Sequence, residues 1–290
     1  MVKRIAILLT VFNRREITLK GLRSLHNAIS KLPADKYKFN IYMTDDGCTD
    51  GTSEAVQDQF PEVTIVYSKG DLFWNRGMFL AWKSASKLKD FDFYLWLNDD
   101  IVLFENALDI VFSNSKSKDY KSVIVGATCD SKTKTKTTYS GYTSKRNRIP
   151  VNGELQECDY FNGNLVLIPF YVYKIVGTND PIFHHSLGDF DYGLRMKVAG
   201  LHSFVSSCFV GVCDRHNCLP KWCDPEISFT NRWKNYLSDL GAAPRDNFIF
   251  NKRHYGVFYA IRCLSLSFLN FLFPTLFVKR NRNKEQYFSK

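Results

Sequence analysis

The chain has 290 residues, 45% of them hydrophobic and 23% charged, so its composition excludes a disordered or fibrous protein. The formal net charge of +10 on its own fits nucleic acid, an anionic membrane or simple solubility. Residues 279–290 carry five basic side chains against Glu285 and directly follow an apolar segment, which favours a membrane surface over nucleic acid as the partner.

Neither a signal peptide nor a cysteine framework is indicated. The apolar run at 5–12 is short and is followed by no small-residue cleavage site, so we expect a first strand there. The eight cysteines include no C-x-x-C pair, and those at 208, 213, 218 and 223 recur at a spacing wider than zinc sites normally use. Reduced thiols in a cytoplasmic protein are therefore expected.

The first third of the chain alternates between strand and helix patterns. Apolar runs at 5–11, 39–43, 63–67 and 93–97 predict strands, and helical patterns at 17–29, from about 53 and at 76–88 lie between them. This alternation with short connections implies a mostly parallel sheet with right-handed crossovers. Further along, a helix is predicted at 108–112 and strands at 123–127 and 203–212.

Acidic loops follow two of these strands. Asp45 and Asp46 follow the second strand, and Asn98, Asp99 and Asp100 follow the fourth. Because the carboxyl ends of parallel strands share one edge of a sheet, we expect both loops to border one crevice. Oxygen ligands there suit Mg²⁺ or Mn²⁺ on a diphosphate substrate, and a solvated turn is the plain alternative.

Three segments carry a resemblance to a known family. Residues 8–14 (LLTVFNR), 44–50 (TDDGCTD) and 98–100 (NDD) resemble the nucleotide-sugar half of the inverting glycosyltransferases of family 2, which have the GT-A fold. The resemblance implies that the first two segments cradle the nucleoside and that the third is the DXD-type metal motif, with Asp100 on the metal. The donor-site residues implied in this way are Thr10, Phe12, Asn13, Arg14, Asp45, Asp46, Asn75, Gly77, Asn98 and Asp99.

Three of these donor-site residues differ from the family's pattern or have an alternative interpretation. Asn98 stands where the DXD motif has its first Asp, which removes one negative charge from the surroundings of the cation. Asn75 and Gly77 resemble the family's Asn-x-Gly loop, where Gly lets the backbone approach the donor, and a plain helix start is the alternative.

A second chemical centre lies at 184–195 (HHSLGDFDYGLR). Asp191 and Arg195 are four residues apart, so on a helix they share a face and can pair. Asp189 lies near the helix N-terminus, where the helix dipole favours the ionised form that a general base needs; a simple N-cap is the alternative. The resemblance places Asp189 on the family's catalytic base and Gly188 where the family has Glu.

Three histidines are further candidates. His184 and His185 either line the acceptor site or are surface or capping residues. His216 follows the strand at 203–212, where the family often has a His that completes the metal or diphosphate site, and an ordinary loop His is the alternative. Arg215 could instead balance the leaving diphosphate. Trp222 and Trp233 either stack on a sugar or anchor helices, and packing is the more common role.

Two segments are interpreted from composition. The Lys/Thr-rich stretch at 131–148 predicts a solvated hairpin or mobile loop, with a lid as the alternative, and Gly163 indicates a close backbone approach. The apolar segment at 255–278 contains an uncharged run of 16 residues, shorter than a bilayer-spanning helix needs. It fits a helix in the cytoplasmic membrane interface, and a core or dimer-forming helix competes with that interpretation.

The sequence therefore predicts an α/β protein with the GT-A fold: a Rossmann-like, mostly parallel central sheet with flanking helices, plus a C-terminal amphipathic helical segment. Residues 1–250 are expected to form the transferase domain, with a nucleotide-sugar half at 1–103 and an acceptor and catalytic half at 104–250. Residues 251–290 are expected to form the C-terminal helix and basic tail.

The resemblance implies inverting transfer of one sugar from a UDP- or dTDP-sugar to a hydroxyl of a saccharide or polyprenyl-diphosphate-linked acceptor. Mn²⁺ or Mg²⁺ is the implied cofactor, and bacterial surface-polysaccharide assembly at the inner face of the cell membrane is the implied setting; a homodimer is left open. A sugar nucleotidyltransferase is one alternative, although the loop after the first strand lacks the Gly-rich pattern it needs. A non-catalytic saccharide-binding protein is the other.

Overall fold

The structure is a computed structural model that describes residues 2–88, 90–215 and 218–281. The chain divides into two compact units. The first comprises the residues up to Pro181 together with Gly188–Asp214, and the second comprises Ile182–Leu187 together with the residues from Arg215 onward. This division by contacts does not test the functional boundary predicted at residue 250, which stays a prediction.

The first unit contains all the predicted strands and the helices between them, with the third helix beginning at Phe73 instead of 76. Its strands are β1 Lys3–Val11, β2 Tyr37–Asp45, β3 Thr64–Tyr67, β4 Phe93–Leu97, β5 Val102–Leu103, β6 Val123–Cys129, β7 Gly141–Tyr142, β8 Gln156–Cys158, β9 Tyr160–Phe161, β10 Leu165–Pro169 and β11 Ser203–Val212. Its helices are α1 Arg15–Ser30, α2 Thr52–Gln59, α3 Phe73–Leu88, α4 Ala107–Lys116, α5 Phe170–Val176 and α6 Gly188–Val198.

The main sheet has nine strands, eight of them in the order β3-β2-β1-β4-β10-β6-β11-β5, with β8 paired to β11. Strands β3, β2, β1 and β4 are parallel, as the alternating pattern predicts. Strand β10 runs antiparallel to both of its neighbours, and β6 and β11 are parallel again. The mostly parallel, helix-flanked sheet of the GT-A prediction is therefore present.

Alternate residues of β1 enter two separate cores. Ile5 and Ile7 pack in a cluster with residues of α1, α2 and α4, whereas Ala6 and Leu8 pack in a cluster with residues of α3, α5 and α6. Helices cover both faces of this strand, which is why its sequence is continuously apolar instead of alternating. The strand ends are thus left as the accessible part of the sheet.

The predicted hairpin at 131–148 is present. Tyr142 and Arg148 form an antiparallel bridge, and the Thr143 N–H donates to the Asn147 carbonyl at 3.0 Å. A second antiparallel bridge joins Thr137 to Cys129 at the end of β6. The alternative role of this segment as a lid stays a prediction.

The second unit is helical in its described residues. A short 3-10 helix at Lys221–Cys223 is followed by α7 Phe229–Leu237, α8 Pro244–Tyr255, α9 Val257–Leu272 and α10 Pro274–Asn281. Its small core contains Trp222, Tyr236 and Phe271, and Trp233 lies 5.4 Å from the Phe271 ring, so both tryptophans have the packing role that the sequence leaves open.

The apolar C-terminal segment is two helices instead of one. Pro274 has no N–H to donate and stands at the first position of α10, so the chain turns there by 105° relative to α9. No single helix of the described residues is long and apolar enough to cross a membrane, although the bent pair of α9 and α10 together meets the criterion of length and composition.

Candidate active site

Three loops leave the same edge of the sheet. Val11 at the end of β1 is in register with Asp45 at the end of β2, and Leu8 is in register with Trp96 of β4. The loops that follow these parallel strands therefore emerge side by side, as the sequence predicts for the two acidic segments.

Asn13 and Arg14 connect the two acidic loops. The Asn13 Oδ1 accepts from the Thr49 N–H at 2.7 Å, with Asn13 itself in the left-handed region at φ 50°. The Arg14 guanidinium lies 3.1 Å from an oxygen of Asp99 and 3.1 Å from an oxygen of Asp100. Two covalent neighbours thus hold the loop after β2 and the loop after β4.

The carboxylates of Asp99 and Asp100 differ in access to solvent. Asp99 is buried and accepts from the Thr18 hydroxyl at 3.3 Å. Burial raises the pKa of Asp99 to about 6, and the charge of Arg14 acts in the opposite direction. The Asp100 side chain is 28% exposed, so it is the accessible carboxylate of the motif.

Asp100 offers one accessible carboxylate to a hard divalent cation. Its Oδ2 is held by Arg14, and its Oδ1 accepts a weak hydrogen bond from the Cys213 thiol at 3.7 Å. Burial raises the pKa of Cys213, so the sulfur is a neutral thiol instead of a soft thiolate ligand. Carboxylate oxygen is the ligand that Mg²⁺ and Mn²⁺ prefer, and Asp100 would supply it. His216, the other predicted ligand, lies outside the described residues.

Trp74 fixes the orientation of Asn98. The indole N–H of Trp74 lies 2.7 Å from Oδ1 of Asn98. Because an indole nitrogen can only donate, the atom that faces it must be the carboxamide oxygen and not the nitrogen. Trp74 thus occupies one lone pair of the Asn98 oxygen and fixes which way the carboxamide faces, and the NH₂ group is a hydrogen-bond donor that an Asp would not offer.

Asp45 and Asp46 are buried and bonded within the protein. Asp45 accepts from the Cys48 N–H at 2.6 Å and from the Ser53 hydroxyl. Asp46 accepts from the Phe73 N–H at 2.8 Å and so holds Phe73, a bulky residue, at φ 55°. Both carboxylates shape the loops of the site; their contact with a base or ribose stays a prediction.

Thr10 and Gly77 lie against each other. A Cβ at Gly77 would come within 2.8 Å of the Thr10 Cβ, so Gly77 lets α3 approach the end of β1. Phe12, next to this contact, is 51% exposed at the same edge. An aromatic face held open at a strand end can stack on a flat ring such as a nucleobase.

Asn75 fills the space next to Gly188. The buried Asn75 carboxamide donates to the Asp180 carbonyl at 2.8 Å and accepts from the Asn179 side chain at 2.7 Å. A Cβ at Gly188 would overlap this carboxamide, whose Nδ2 is 2.9 Å from that position. In this chain, therefore, a side chain at Gly188 could not be accommodated unless Asn75 moved.

Asp189 lies in the first turn of α6 and is bonded to backbone on both sides. Its carboxylate accepts from the Gly163 N–H at 2.9 Å and from the Phe190 N–H at 2.8 Å. Burial raises the pKa of Asp189 to about 6 in spite of these two hydrogen bonds. The sequence argument from the helix dipole expected the ionised form to be favoured; desolvation outweighs the dipole here.

The loop between β9 and β10 joins the two centres. The Asn98 N–H donates to the Asn164 carbonyl at 2.8 Å, and the adjacent Gly163 donates to Asp189. The Trp74 ring lies on Gly163, where a Cβ would meet its Cη2 at 2.5 Å. The acidic loop after β4 and Asp189 are thus separated by one short loop, which Trp74 covers.

The predicted pair of Asp191 and Arg195 is confirmed, with Nε 2.7 Å from Oδ2. Asp191 is buried, and Arg195 also donates to the Val176 carbonyl at 3.0 Å and the Thr178 carbonyl at 2.9 Å. The pair therefore ties α6 to the end of α5 and the residues after it, which supports Asp189 from behind.

His184 and His185 belong to the second unit. The His184 N–H donates to Asp246 at 2.8 Å, and its Nδ1 lies 3.1 Å from Asp246 and 3.5 Å from Asp239. His184 is therefore bonded to two carboxylates of its own unit, and its role at the acceptor site stays a prediction. Burial lowers the pKa of His185, which favours its neutral form.

Comparison with known proteins identifies the family. The sequence matches the model described as Glycosyl transferase family 2 over residues 6–171, more than half of the chain. The chain belongs to glycosyl transferase family 2. Membership makes it a glycosyltransferase and decides against both alternatives, the nucleotidyltransferase and the non-catalytic binding protein. No curated protein sequence matches the chain.

Solved structures share the fold of this family 2 protein. A crystal structure of GalNAc-T7 with UDP, GalNAc and Mn²⁺ aligns with TM-score 0.54 at 15% identity, covering 72% of this chain and 43% of that one. Residues 1–349 of S. aureus TarS align with TM-score 0.52 at 15% identity, covering 87% and 70%. A longer S. aureus TarS structure aligns with TM-score 0.55 at 14% identity, covering 88% and 44%. This chain thus spans less than half of GalNAc-T7, and the GT-A prediction is confirmed.

The family 2 match includes the loops after β1, β2 and β4 and ends before Asp189. The close backbone approach predicted at Gly163 is confirmed, although its hydrogen bond to Asp189 was not predicted. Sequence reasoning missed two residues that this site depends on, Trp74 and Thr18. Trp74 directly precedes the Asn-x-Gly pattern, but that pattern singles out only Asn75 and Gly77. Thr18 on α1 gave no local signal, because its partner Asp99 is distant in the chain.

Proposed function

We propose that this chain transfers one sugar from a nucleotide-diphosphate sugar, UDP- or dTDP-linked, to an acceptor hydroxyl with inversion at the anomeric carbon. The main support for the proposal is that the loop between β9 and β10 contacts both the acidic loop after β4 and Asp189. Asn164 accepts from Asn98 of the metal motif, and Gly163 donates to Asp189. A donor diphosphate on Asp100 would then have its anomeric carbon close to a carboxylate.

Asp189 is the proposed general base. The acceptor oxygen attacks the anomeric carbon on the face opposite the diphosphate, and its proton passes to Asp189. The bond from the anomeric carbon to the diphosphate oxygen breaks, and its electron pair leaves with the nucleoside diphosphate. A carboxylate whose pKa is raised to about 6 holds that proton better than an ordinary Asp and is still ionised at neutral pH.

The donor site is proposed to use the edge residues in three ways. Phe12 stacks on the base, and Asp45 and Asp46 keep the nucleoside loops in shape. Contact of Thr10, Asp45 and Asp46 with the base and ribose is proposed on the sequence resemblance alone. Asn98 donates its NH₂ group to a donor oxygen, because its own oxygen is held by Trp74. Asn13, Arg14, Asn75 and Gly77 support these loops.

A divalent cation, Mn²⁺ or Mg²⁺, would neutralise the charge that develops on the leaving diphosphate. Asp100 would hold it through hard oxygen, and His216 is the proposed second ligand. The Mn²⁺ and UDP bound to GalNAc-T7 support this choice of ion and nucleotide. Arg14, already on Asp100, adds a second positive charge beside the diphosphate.

The acceptor is proposed to be a saccharide or a polyprenyl-diphosphate-linked saccharide at the inner face of the cell membrane. Bacterial surface-polysaccharide assembly is proposed as the setting on the sequence resemblance alone, and the same holds for His185 as an acceptor residue. The basic net charge of +10 suits an anionic, lipid-bound acceptor.

The test is calorimetric titration of the full chain with UDP and with dTDP, with and without Mn²⁺. We expect one nucleotide to bind, more tightly with Mn²⁺, and Asp100→Ala to lose the metal-dependent part. Asp109→Ala removes an exposed carboxylate on α4 and should leave that part intact. The anomeric configuration of the product, measured by NMR with the cognate sugar, tests inversion.

Each outcome bears on a separate statement. A folded protein that binds neither nucleotide would contradict the donor class. Unchanged metal dependence in Asp100→Ala would contradict the metal assignment, and a product with the donor's anomeric configuration would contradict inversion.

A further inference from the structure

Helix α9 exposes a continuous apolar stripe. Its members recur at intervals of three and four residues, so they lie along one side of the helix. Only Ala260 and Phe271 of α9 are buried, and Phe258 is 86% exposed. We call the following exposed residues the α9 stripe: Val257, Phe258, Ile261, Leu264, Phe268, Leu269 and Leu272.

The stripe continues into neighbouring segments of the second unit. Phe273 at the bend and Leu276 on α10 are exposed large apolar residues as well. Scattered exposed apolar residues are normal on a protein surface. A run of this length along one helix instead indicates a surface that binds an apolar partner or a membrane.

The charged residues of the segment that carries the stripe have one sign. Residues 247–284 contain no Asp or Glu, whereas Lys252 and Arg253 precede α9 and Lys279 and Arg280 lie in the last turn of α10. Arg262 lies next to the stripe on α9 itself, with its side chain exposed. The surface therefore combines apolar contact with positive charge and has no negative charge of its own.

This charge pattern selects the occupant. A second copy docked symmetrically through the stripe would bring the same basic residues towards each other, with no acidic residue of this segment to compensate them. An anionic lipid surface supplies negative headgroups for the basic residues and an acyl boundary for the stripe. The 105° bend between α9 and α10 also suits a surface contact better than a straight bilayer crossing.

We infer that the α9 stripe and its flanking basic residues dock the protein on an anionic lipid bilayer, with α9 lying in the interface. This deepens the proposed encounter with a lipid-linked acceptor, but it stands on the second unit alone. Its readout is vesicle binding, which is independent of sugar transfer, so failure of one proposal is distinguishable from failure of the other.

The test is co-sedimentation of the full-length protein with vesicles of phosphatidylcholine alone and of phosphatidylcholine mixed with phosphatidylglycerol. We expect binding to the mixed vesicles, weaker binding at high salt, and little binding to phosphatidylcholine alone. The variant Phe258→Ser/Leu269→Ser should lower the partition coefficient by at least about tenfold, because both side chains would enter the acyl boundary. Arg262→Gln should weaken binding to the anionic vesicles alone.

Val198→Ser is the matched control, since Val198 in the first unit is also 86% exposed, and it should bind vesicles like the unaltered protein. Sedimentation velocity on each variant reports folding and self-association. Absence of vesicle binding by the folded protein, or equal loss in Val198→Ser, would overturn the inference. So would a dimer that the Phe258→Ser/Leu269→Ser change dissociates while vesicle binding persists.

Discussion

The indole N–H of Trp74 donates to the oxygen of Asn98 and so holds this side chain in one orientation at the start of the acidic loop after β4. The same ring lies on Gly163, whose amide donates to the proposed base. Trp74 is therefore a positioning residue between the two centres, and its effect can be separated from plain packing by a change that keeps the ring.

Trp74→Phe removes the indole N–H and keeps an aromatic face on Gly163. We expect turnover to fall about fivefold, since a hydrogen bond of about 1 kcal/mol that orients Asn98 is lost. Nucleotide binding by calorimetry should weaken less than turnover. Trp222→Phe, in the core of the second unit, is the control for general destabilisation and should leave turnover unchanged. Equal effects of the two changes would contradict the positioning role.

Asp189→Asn and Asp191→Asn should separate chemistry from stability. Asp189→Asn keeps the shape of the side chain and removes the base, so we expect turnover to fall by about 100-fold or more with nucleotide binding retained. Asp191→Asn weakens the buried pair with Arg195 and should cost roughly 2 kcal/mol in urea unfolding. Substantial turnover in folded Asp189→Asn would assign the base elsewhere.

The pKa of Asp189, raised to about 6, predicts a pH dependence of activity. The base must be ionised, so kcat/KM should fall about tenfold per pH unit below pH 6. Protonation below that pH favours the folded state, so the stability from this group is present at low pH and is lost as pH rises through about 6. Initial rates and urea midpoints from pH 5 to 8 check both signs, with the Asp189→Asn midpoint lacking this contribution.

Arg14→Ala should expose the cost of burying Asp99. Without the guanidinium, the pKa of Asp99 rises further above about 6, because Arg14 is the charge that opposes burial. We expect a loss of roughly 2 kcal/mol at pH 7 that becomes smaller at pH 5, where Asp99 is protonated. Arg14→Lys keeps the charge and should lose less. A loss that is independent of pH would show that packing, not charge, is what Arg14 supplies.

Gly188→Ala should destabilise the protein through its contact with Asn75. The new Cβ would overlap the Asn75 carboxamide, and overpacking of this kind costs about 2 kcal/mol. In the background of Asn75→Ala the same change should cost clearly less, so the two substitutions are expected to be non-additive. Urea unfolding of the four proteins measures the coupling, and strict additivity would refute the steric account.

Much of the first unit could be predicted because its signals are local. The apolar runs of β1 and β4 and the acidic residues directly behind them are visible in the sequence, and parallel strands place such residues at one edge. The fit of Asn75 against Gly188 joins residues more than a hundred positions apart, and the hydrogen bond of Trp74 to Asn98 depends on how α3 packs; neither has a local pattern. The prediction of one helix at 255–278 was wrong, because the interruption at Pro274 is a full break between two helices.

Asn13 and Arg14 give the site a thermodynamic property beyond the geometry of either loop. Asn13 is bonded to the loop after β2, and Arg14 is bonded to the carboxylates after β4. A single peptide bond therefore connects the contacts to the two loops. Any ligand that draws the guanidinium away from Asp100 acts on the nucleoside loop through that peptide. Linkage then requires reciprocity: by whatever factor a cation strengthens nucleotide affinity, the nucleotide strengthens cation affinity by the same factor.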